Sequence, residues 1–199
     1  MSKIAVSLTA SAVVFCLTST AAAQPSWGYR PAGHRAPPRD GLLIGFGLGG
    51  GNISAECATE ARDLCDEVLE SGSLDFHVGA MLAPRLGVML DVWPMVYRED
   101  RLTITHVITT AAVRFWATPR LWLQGGVGSA YARFKYDGIL IDEDVQTDTV
   151  AGAMAAIGVE VVRRPRFGID VQLRGGTGFY EEDEVKGKSA AFQVGFTWF

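Results

Sequence analysis

Residues 74–93 read LDFHVGAMLAPRLGVMLDVW, two alternating runs on either side of an Ala-Pro-Arg turn. In the first run, apolar residues such as Phe76 alternate with polar residues such as Asp75 and His77. Such alternation indicates a β-strand with two different faces. Pro84 cannot sit within a paired ladder and favours a tight turn. The stretch therefore predicts an antiparallel hairpin with one apolar and one polar face.

The same turn signal recurs at Thr118-Pro119-Arg120 and at Arg164-Pro165-Arg166. Alternating runs flank each turn and predict eight strands. These cover residues 42–48, 74–82, 86–93, 107–117, 121–127, 153–161, 167–174 and 192–196. The other gaps are longer and acidic, at residues 54–72, 98–102, 137–147 and 181–187. Alternating short and long connections predict an up-and-down meander with two unlike ends.

The polar face of these strands predicts which side lies inside. It mixes glycine with a set of charged or titratable residues, which are Asp75, His77, Asp91, Arg114, Glu160, Asp170 and Arg174. Glycine weakens an exposed strand, but in a narrow barrel it leaves room for charged side chains that pair across the lumen. The apolar face then suits lipid, where only helices and closed barrels satisfy their backbone. We therefore expect an all-β, closed, antiparallel, eight-stranded up-and-down transmembrane barrel.

Composition excludes several other classes of protein. The chain has 199 residues, 48% of them hydrophobic and 20% charged, which is too apolar for a disordered protein. The sequence pI is near 5.4, whereas a nucleic-acid binder usually carries a basic patch. After the first segment no apolar run is long enough for a transmembrane helix.

The first 40 residues predict a targeting signal and a linker. Residues 1–23 have a basic Lys3, an apolar stretch and small residues ending at Ala23, as a cleaved signal peptide does. An uncleaved membrane anchor is the alternative, although the apolar part is short for one. Residues 24–40 hold four prolines and no periodic pattern, and predict a flexible periplasmic arm. The barrel domain would span residues 41–199.

The chain ends in Phe-Thr-Trp-Phe after the hairpin rhythm and signal peptide described above. In these features it resembles the small eight-stranded outer-membrane barrels of Gram-negative bacteria, the OmpA/OmpX-like class. That resemblance implies a monomer in the cell outer membrane, in contact with its lipids and lipopolysaccharide. It also implies that Phe196, Trp198 and Phe199 form the signal read by the barrel-assembly machinery. Phe199 is one residue out of step with the bulky residues before it.

For function, the charged lumen favours a plug of ion pairs over a wide pore. We expect Arg114 to neutralise a carboxylate there, because buried charges need partners. The leading hypothesis is a non-enzymatic envelope protein with a structural or surface-interaction role and no cofactor. The alternatives are a small gated channel and a lipid-modifying enzyme, for which His106 beside Thr103 and Thr105 is the candidate. If the apolar face of the strands pointed inward and the polar face outward, the chain would instead be a soluble lipocalin-like binder.

Two further features lie in the acidic gaps. Cys57 and Cys65 predict a disulfide in an oxidising compartment. Helical spacing around them leaves free thiols open, since residues eight apart on one helix are too distant to bridge. The acidic stretches 142–144 and 181–184 could bind Ca²⁺ or Mg²⁺. Their spacing fits no defined metal loop, so a solvated acidic surface is preferred and no metal is assigned.

Overall fold

The computed structural model describes residues 39–56, 68–137, 142–164, 166–180 and 185–199. Nine β-strands are present in them. These are β1 (Leu42–Glu56), β2 (Leu69–Ala83), β3 (Leu86–Glu99), β4 (Leu102–Trp116), β5 (Leu121–Asp137), β6 (Asp142–Gln146), β7 (Val150–Arg164), β8 (Phe167–Tyr180) and β9 (Val185–Trp198). The described residues contain no helix that is long and apolar enough to cross a membrane. The predicted signal peptide, residues 24–38 of the arm, and Cys57 and Cys65 lie outside these ranges.

Eight of the strands close into an antiparallel barrel. Each pairs with its neighbours along the chain, β5 pairs directly with β7, and β1 pairs with β9 to complete the ring. The ninth, β6, pairs only with the far part of β5 and extends that hairpin beyond the barrel wall. The predicted closed eight-stranded barrel is confirmed.

The strands are longer than the alternating runs suggested. The gap predicted at residues 98–102 is a tight turn, since β3 ends at Glu99 and β4 begins at Leu102. Asp100 makes that turn with a φ of 46°, in the left-handed region that Asp tolerates better than most residues. The gap at residues 137–147 contains all of β6. Backbone pairing therefore continues past the apolar part of each strand, where the side-chain pattern no longer reveals it.

The two ends of the barrel differ as expected. At one end, here called the short-turn end, β4 and β5 are joined by residues 117–120. The Thr118 hydroxyl accepts hydrogen bonds from the backbone N–H groups of Arg120 and Leu121, at 3.3 and 2.9 Å. This local pairing lets the Thr-Pro-Arg sequence reverse the chain in a few residues.

The apolar face of the barrel points outward. Phe76 is 51% exposed and Leu90 is 58% exposed, although both lie in the middle of well-paired strands. Their sequence neighbours Asp75 and Asp91 are buried. This arrangement excludes the lipocalin-like alternative, in which the apolar face would point inward.

Two apolar clusters divide the interior into layers. The distal layer lies toward the long connections and contains Ile53, Trp93, Met95, Ile108, Ala130, Met154 and Ala191. The proximal layer lies toward the short-turn end and contains Leu43, Met89, Ala112, Trp116, Trp122 and Ala156. Along β3, Asp91 falls between Met89 and Trp93, so buried charge lies between the two layers.

Candidate functional site in the barrel interior

All seven residues predicted to face the lumen lie in the interior of the barrel. They are Asp75 and His77 on β2, Asp91 on β3, Arg114 on β4, Glu160 on β7, and Asp170 and Arg174 on β8. Each is no more than 3% exposed. A buried charge without a partner is very costly, so the pairing among these groups determines what the interior can do.

Arg174 links the acids of two other strands across the lumen. Its Nη1 lies 2.9 Å from Asp75 Oδ1, and its Nη2 lies 2.5 Å from Asp91 Oδ1. The guanidinium is also 5.2 Å from the ring centroid of Trp93, within cation–π range. Because Arg174 is on β8 and the acids are on β2 and β3, these ion pairs span the lumen.

Asp75 has further partners. His77 Nδ1 lies 3.1 Å from Asp75 Oδ1, and Gln172 Nε2 donates to Asp75 Oδ2 at 3.1 Å. Gly47 provides the space for this contact. A Cβ at Gly47 would lie 2.7 Å from Gln172 Nε2 and would clash with the Asp75 carboxylate. The glycines of the inner face thus leave room for the charged side chains of neighbouring strands.

Arg114 differs from the expectation that it pairs with a carboxylate. Its Nε donates to Gln124 Oε1 at 2.8 Å, and its Nη1 lies 3.5 Å from Thr197 Oγ1. The guanidinium packs 4.1 Å from the ring centroid of Trp122. Gln124 in turn donates from Nε2 to Asp91 at 2.8 Å, so an amide connects the arginine to the acid.

Several uncharged polar side chains complete the network, and the sequence reading assigned them no role. Gln172 Nε2 donates to Gln193 Oε1 at 3.1 Å, and Gln193 Nε2 donates to Ser73 Oγ at 2.7 Å. Trp93 Nε1 also donates to Ser73, at 2.8 Å. The sequence did contain a signal for Gln172, because it lies on the inward phase of β8 between Asp170 and Arg174.

At the short-turn end, Glu160 binds two donors that come from different parts of the chain. Its Oε1 accepts from Trp116 Nε1 at 2.7 Å, and its Oε2 accepts from Arg39 at 2.6 Å. Asp170 faces Glu160 in the β7–β8 register, and its Oδ1 has no hydrogen-bond partner among the described residues. The sequence assigned Arg39 to a flexible arm, whereas the structure places it inside the barrel.

One group of interior residues has the composition of a metal site. Ligand atoms of Asp75, His77 and Asp91 all lie within 4.8 Å of one another, and carboxylate with imidazole is a common donor set. Arg174 already contacts both carboxylates and supplies a positive charge at that position. We therefore interpret the group as an ion-pair cluster.

His106 lies on the inner face rather than beside Thr103 or Thr105 at the surface. Its Nδ1 is 2.6 Å from the Ser189 hydroxyl of β9, and both side chains are buried. His106 Nε2 has no hydrogen-bond partner among the residues that the structure describes. A histidine and a serine at this distance can act as a base and a nucleophile, but burial separates this pair from the lipid headgroups.

The terminal aromatic residues divide between the two faces. Phe196 and Trp198 point outward and, with Phe46 and Phe167, form a cluster of rings at centroid distances of 5.0 to 6.4 Å. Phe199 instead packs edge-on against buried Trp116, with ring centroids 5.9 Å apart. Phe199 thus continues the inward phase of β9, which includes Thr197 two residues before it.

Solved structures of other proteins share this fold. The attachment invasion locus protein Ail of Yersinia pestis matches at a TM-score of 0.56 and 15% identity, over 80% of this chain and 99% of that chain. Neisserial surface protein A matches at a TM-score of 0.55 and 14% identity, over 79% and 96% of the two chains. No protein-family model matches the chain, and no curated protein sequence matches it.

The chain has the fold of a small outer-membrane β-barrel. Its exterior agrees with that environment, because the outward side chains of the paired strands are apolar and the backbone of the ring is closed. A closed ring leaves no unpaired strand edge in the hydrocarbon region. The barrel therefore lies in the cell outer membrane, and its apolar exterior suits that environment.

Proposed function

We propose that this outer-membrane barrel is a non-enzymatic envelope protein with a structural or surface-interaction role and a lumen filled by side chains. The observation that carries this proposal is the double ion pair of Arg174 with Asp75 and Asp91, which joins three strands across the barrel. Fixed side chains that fill and cross-link a narrow lumen support a rigid membrane anchor.

The two apolar layers favour the same role. The distal layer contains Trp93 and Ile108, and the proximal layer contains Trp116 and Trp122, all no more than 1% exposed. Packed apolar side chains leave few gaps larger than a water molecule. A wide aqueous pore through such an interior would require both layers to rearrange.

The exposed hairpin of β5 and β6 is where a surface role would reside. Phe134 is exposed on β5, Val145 is exposed on β6, and the exposed side chains of Arg133 and Asp144 form an ion pair between the two strands. The related folds include a protein named for attachment and invasion and one named as a surface protein. By analogy, we infer that the surface beyond the barrel wall carries the interactions of this chain.

Several partners follow from the proposed environment. We infer contact with outer-membrane lipids and lipopolysaccharide, delivery by the barrel-assembly machinery through Phe196, Trp198 and Phe199, and a monomeric state. We propose no cofactor and no nucleic-acid partner. The apolar exterior supports the lipid contacts, and the acidic net charge of the chain speaks against nucleic acid.

The proposal is tested by complementing cells that lack this protein. One variant would have residues 133–146 replaced by a short turn, and a control would carry Phe134→Ser with the hairpin intact. If the role is a surface interaction, the trimmed variant should fold and show heat-modifiable gel mobility but fail to restore adhesion to an abiotic or host surface. If the role is structural, the trimmed variant should restore resistance to detergent. Failure of the intact protein to restore either property would refute the proposal.

A narrow gated channel is the second candidate, and one observation favours it. A polar column, defined here as Thr197, His77, Asp75, Gln172, Gln193 and Ser73, is linked by contacts of 2.7 to 3.4 Å. His77 and Asp75 can exchange protons in this column, and water beside the amides of Gln172 and Gln193 would be needed to carry them further. Proton flux into vesicles that contain the protein tests this candidate. A flux that is lost in Gln193→Leu but retained in the outward-facing Phe192→Leu would support a channel rather than a sealed barrel.

We propose that the His106–Ser189 pair has no enzymatic role. The 2.6 Å contact satisfies two buried polar groups that would otherwise be costly to leave unpaired. His106→Gln should leave any lipid-modifying activity of purified protein unchanged, and Ser189→Ala should do the same. A loss of measured deacylation in both variants, with folding retained, would reverse this assignment.

A further inference from the structure

Arg39 is an interior residue that belongs to no strand. It precedes β1 and is 5% exposed. Its Nη2 lies 2.6 Å from Glu160 Oε2 and 3.0 Å from the carbonyl oxygen of Pro119. Its guanidinium carbon lies 4.5 Å from the ring centroid of Trp116 and 5.6 Å from that of Phe199. Residues from three distant parts of the chain thus surround one side chain at the short-turn end.

These surroundings have the chemistry of a guanidinium site. A carboxylate and a carbonyl accept its N–H groups, while two aromatic faces cover its plane, a combination that suits arginine better than lysine. Trp116 makes two contacts in this site. Its ring faces Arg39, and its Nε1 donates to Glu160 at 2.7 Å. Glu160 is therefore bound on both oxygens only while Arg39 is present.

Gly41 sets the direction of the chain as it enters this site. It has a φ of +83°, a conformation that residues with a Cβ rarely adopt. Its carbonyl accepts a hydrogen bond from Met81 N–H at 2.9 Å, so the wall of the barrel holds the chain from this residue onward. Arg39 lies two residues upstream and bonds through its side chain alone in the contacts described here. Gly41 thus fixes the direction from which the Arg39 side chain enters the barrel.

The charge on the strands behind Arg39 explains why a cation is needed there. Glu160 and Asp170 face each other across the β7–β8 pair, and both are buried. Asp170 Oδ1 has no hydrogen-bond partner among the described residues. Two buried carboxylates side by side repel each other, and Arg39 is the cation that bonds one of them, Glu160.

We propose that Arg39 is a stopper that closes the short-turn mouth of the barrel against water. When Arg39 is seated, it covers Trp116 and Glu160. Without this side chain, the acidic mouth would be open to the solvent while the barrel itself stayed closed, because Arg39 belongs to no strand. This inference is independent of the surface role proposed above, and a result for one does not bear on the other.

A cysteine inside the mouth reports on the stopper. Thr197 is buried on β9 two residues before Phe199, whose ring contacts Arg39, so Thr197→Cys places a thiol in the interior next to the mouth. Cys16, Cys57 and Cys65 are replaced by Ser, and the protein is folded in detergent micelles. The measured quantity is the rate at which the neutral reagent iodoacetamide modifies the thiol. Heat-modifiable gel mobility is checked for every variant.

We expect Arg39→Gln to raise the modification rate at least about tenfold, because the amide loses the ion pair with Glu160. Arg39→Lys should give a smaller increase, since it keeps the charge but not the planar fork. Arg120→Gln, at an exposed arginine of the neighbouring turn, should leave the rate unchanged.

Glu160→Gln provides a second route to the same result, because it removes the charge that holds Arg39 without altering the arm. It should raise the rate as Arg39→Gln does, and it replaces that variant if the latter does not fold. If folded Arg39→Gln and Glu160→Gln react no faster than the parent protein, Arg39 does not close the mouth. An equal increase in Arg120→Gln would also overturn the proposal, because it would indicate general loosening of this end.

Discussion

Replacing Arg174 by methionine should destabilise the barrel more than any substitution on its outer face. Methionine approximates the volume of the arginine stem but cannot bond the carboxylates of Asp75 and Asp91, now 2.9 and 2.5 Å from the guanidinium. Removing one partner of a buried ion pair costs about 3–5 kcal/mol, because the other charge is left uncompensated. Asp75 keeps His77 and Gln172 as neighbours, but neither replaces the lost charge fully.

Urea unfolding in detergent micelles, followed by gel mobility, measures this loss. With a slope of about 2 kcal/mol per molar urea, the midpoint should fall by about 2 M. Arg85→Met, at an exposed short-turn arginine, is the matched control and should not move the midpoint. Adding Asp91→Asn to Arg174→Met should recover part of the loss, because one stranded charge disappears. A midpoint for Arg174→Met within about 0.3 M of the parent would refute the pairing described here.

Two other predictions concern close packing and an exposed ion pair. Gly47→Ala should cost about 1–3 kcal/mol in urea unfolding, because its Cβ would clash with the Asp75 carboxylate, whereas Gly125→Ala meets no atom within 4 Å and should be neutral. The hydrogen bond from Arg133 holds the pKa of Asp144 below the usual range of an aspartate, so NMR titration should find it lowered, and Arg133→Gln should raise it again. Because the folded pKa is the lower one, this ion pair stabilises the hairpin above the unfolded pKa and is lost as the pH falls through the folded pKa.

The inside and outside of the barrel could be predicted because the side-chain period of a strand is two. Asp75 and His77 lie inward, and Phe76 between them lies outward, as the alternation requires. The closed ring of strands could be predicted from the same alternation. An apolar face implies contact with lipid, and a strand edge with unpaired backbone groups is too costly there. Strand ends were less predictable, because pairing in β3 and β4 continues through Arg98 and Thr103, where the alternation fades.

The identity of each interior partner could not be predicted, because it depends on how strands far apart in the chain are staggered around the ring. Arg114 and Arg174 look equivalent in the sequence, as both are single arginines on an inward phase. In the structure Arg174 bridges two acids, while Arg114 bonds an amide and a hydroxyl. The stagger between neighbouring strands decides which partners each arginine meets. It is a property of the closed ring and cannot be read from any one strand.

Arg39 shows that charge balance carries information even where periodicity is absent. The four inward acids exceed the two inward arginines of the strands by two, and burial makes such an excess unfavourable. A further cation from outside the strand pattern would reduce that excess to one. The arm supplies it, because Arg39 bonds Glu160, one of the two acids that Arg174 does not contact. Counting the charges assigned to a lumen can thus indicate that an aperiodic segment enters it, although not which of its residues does so.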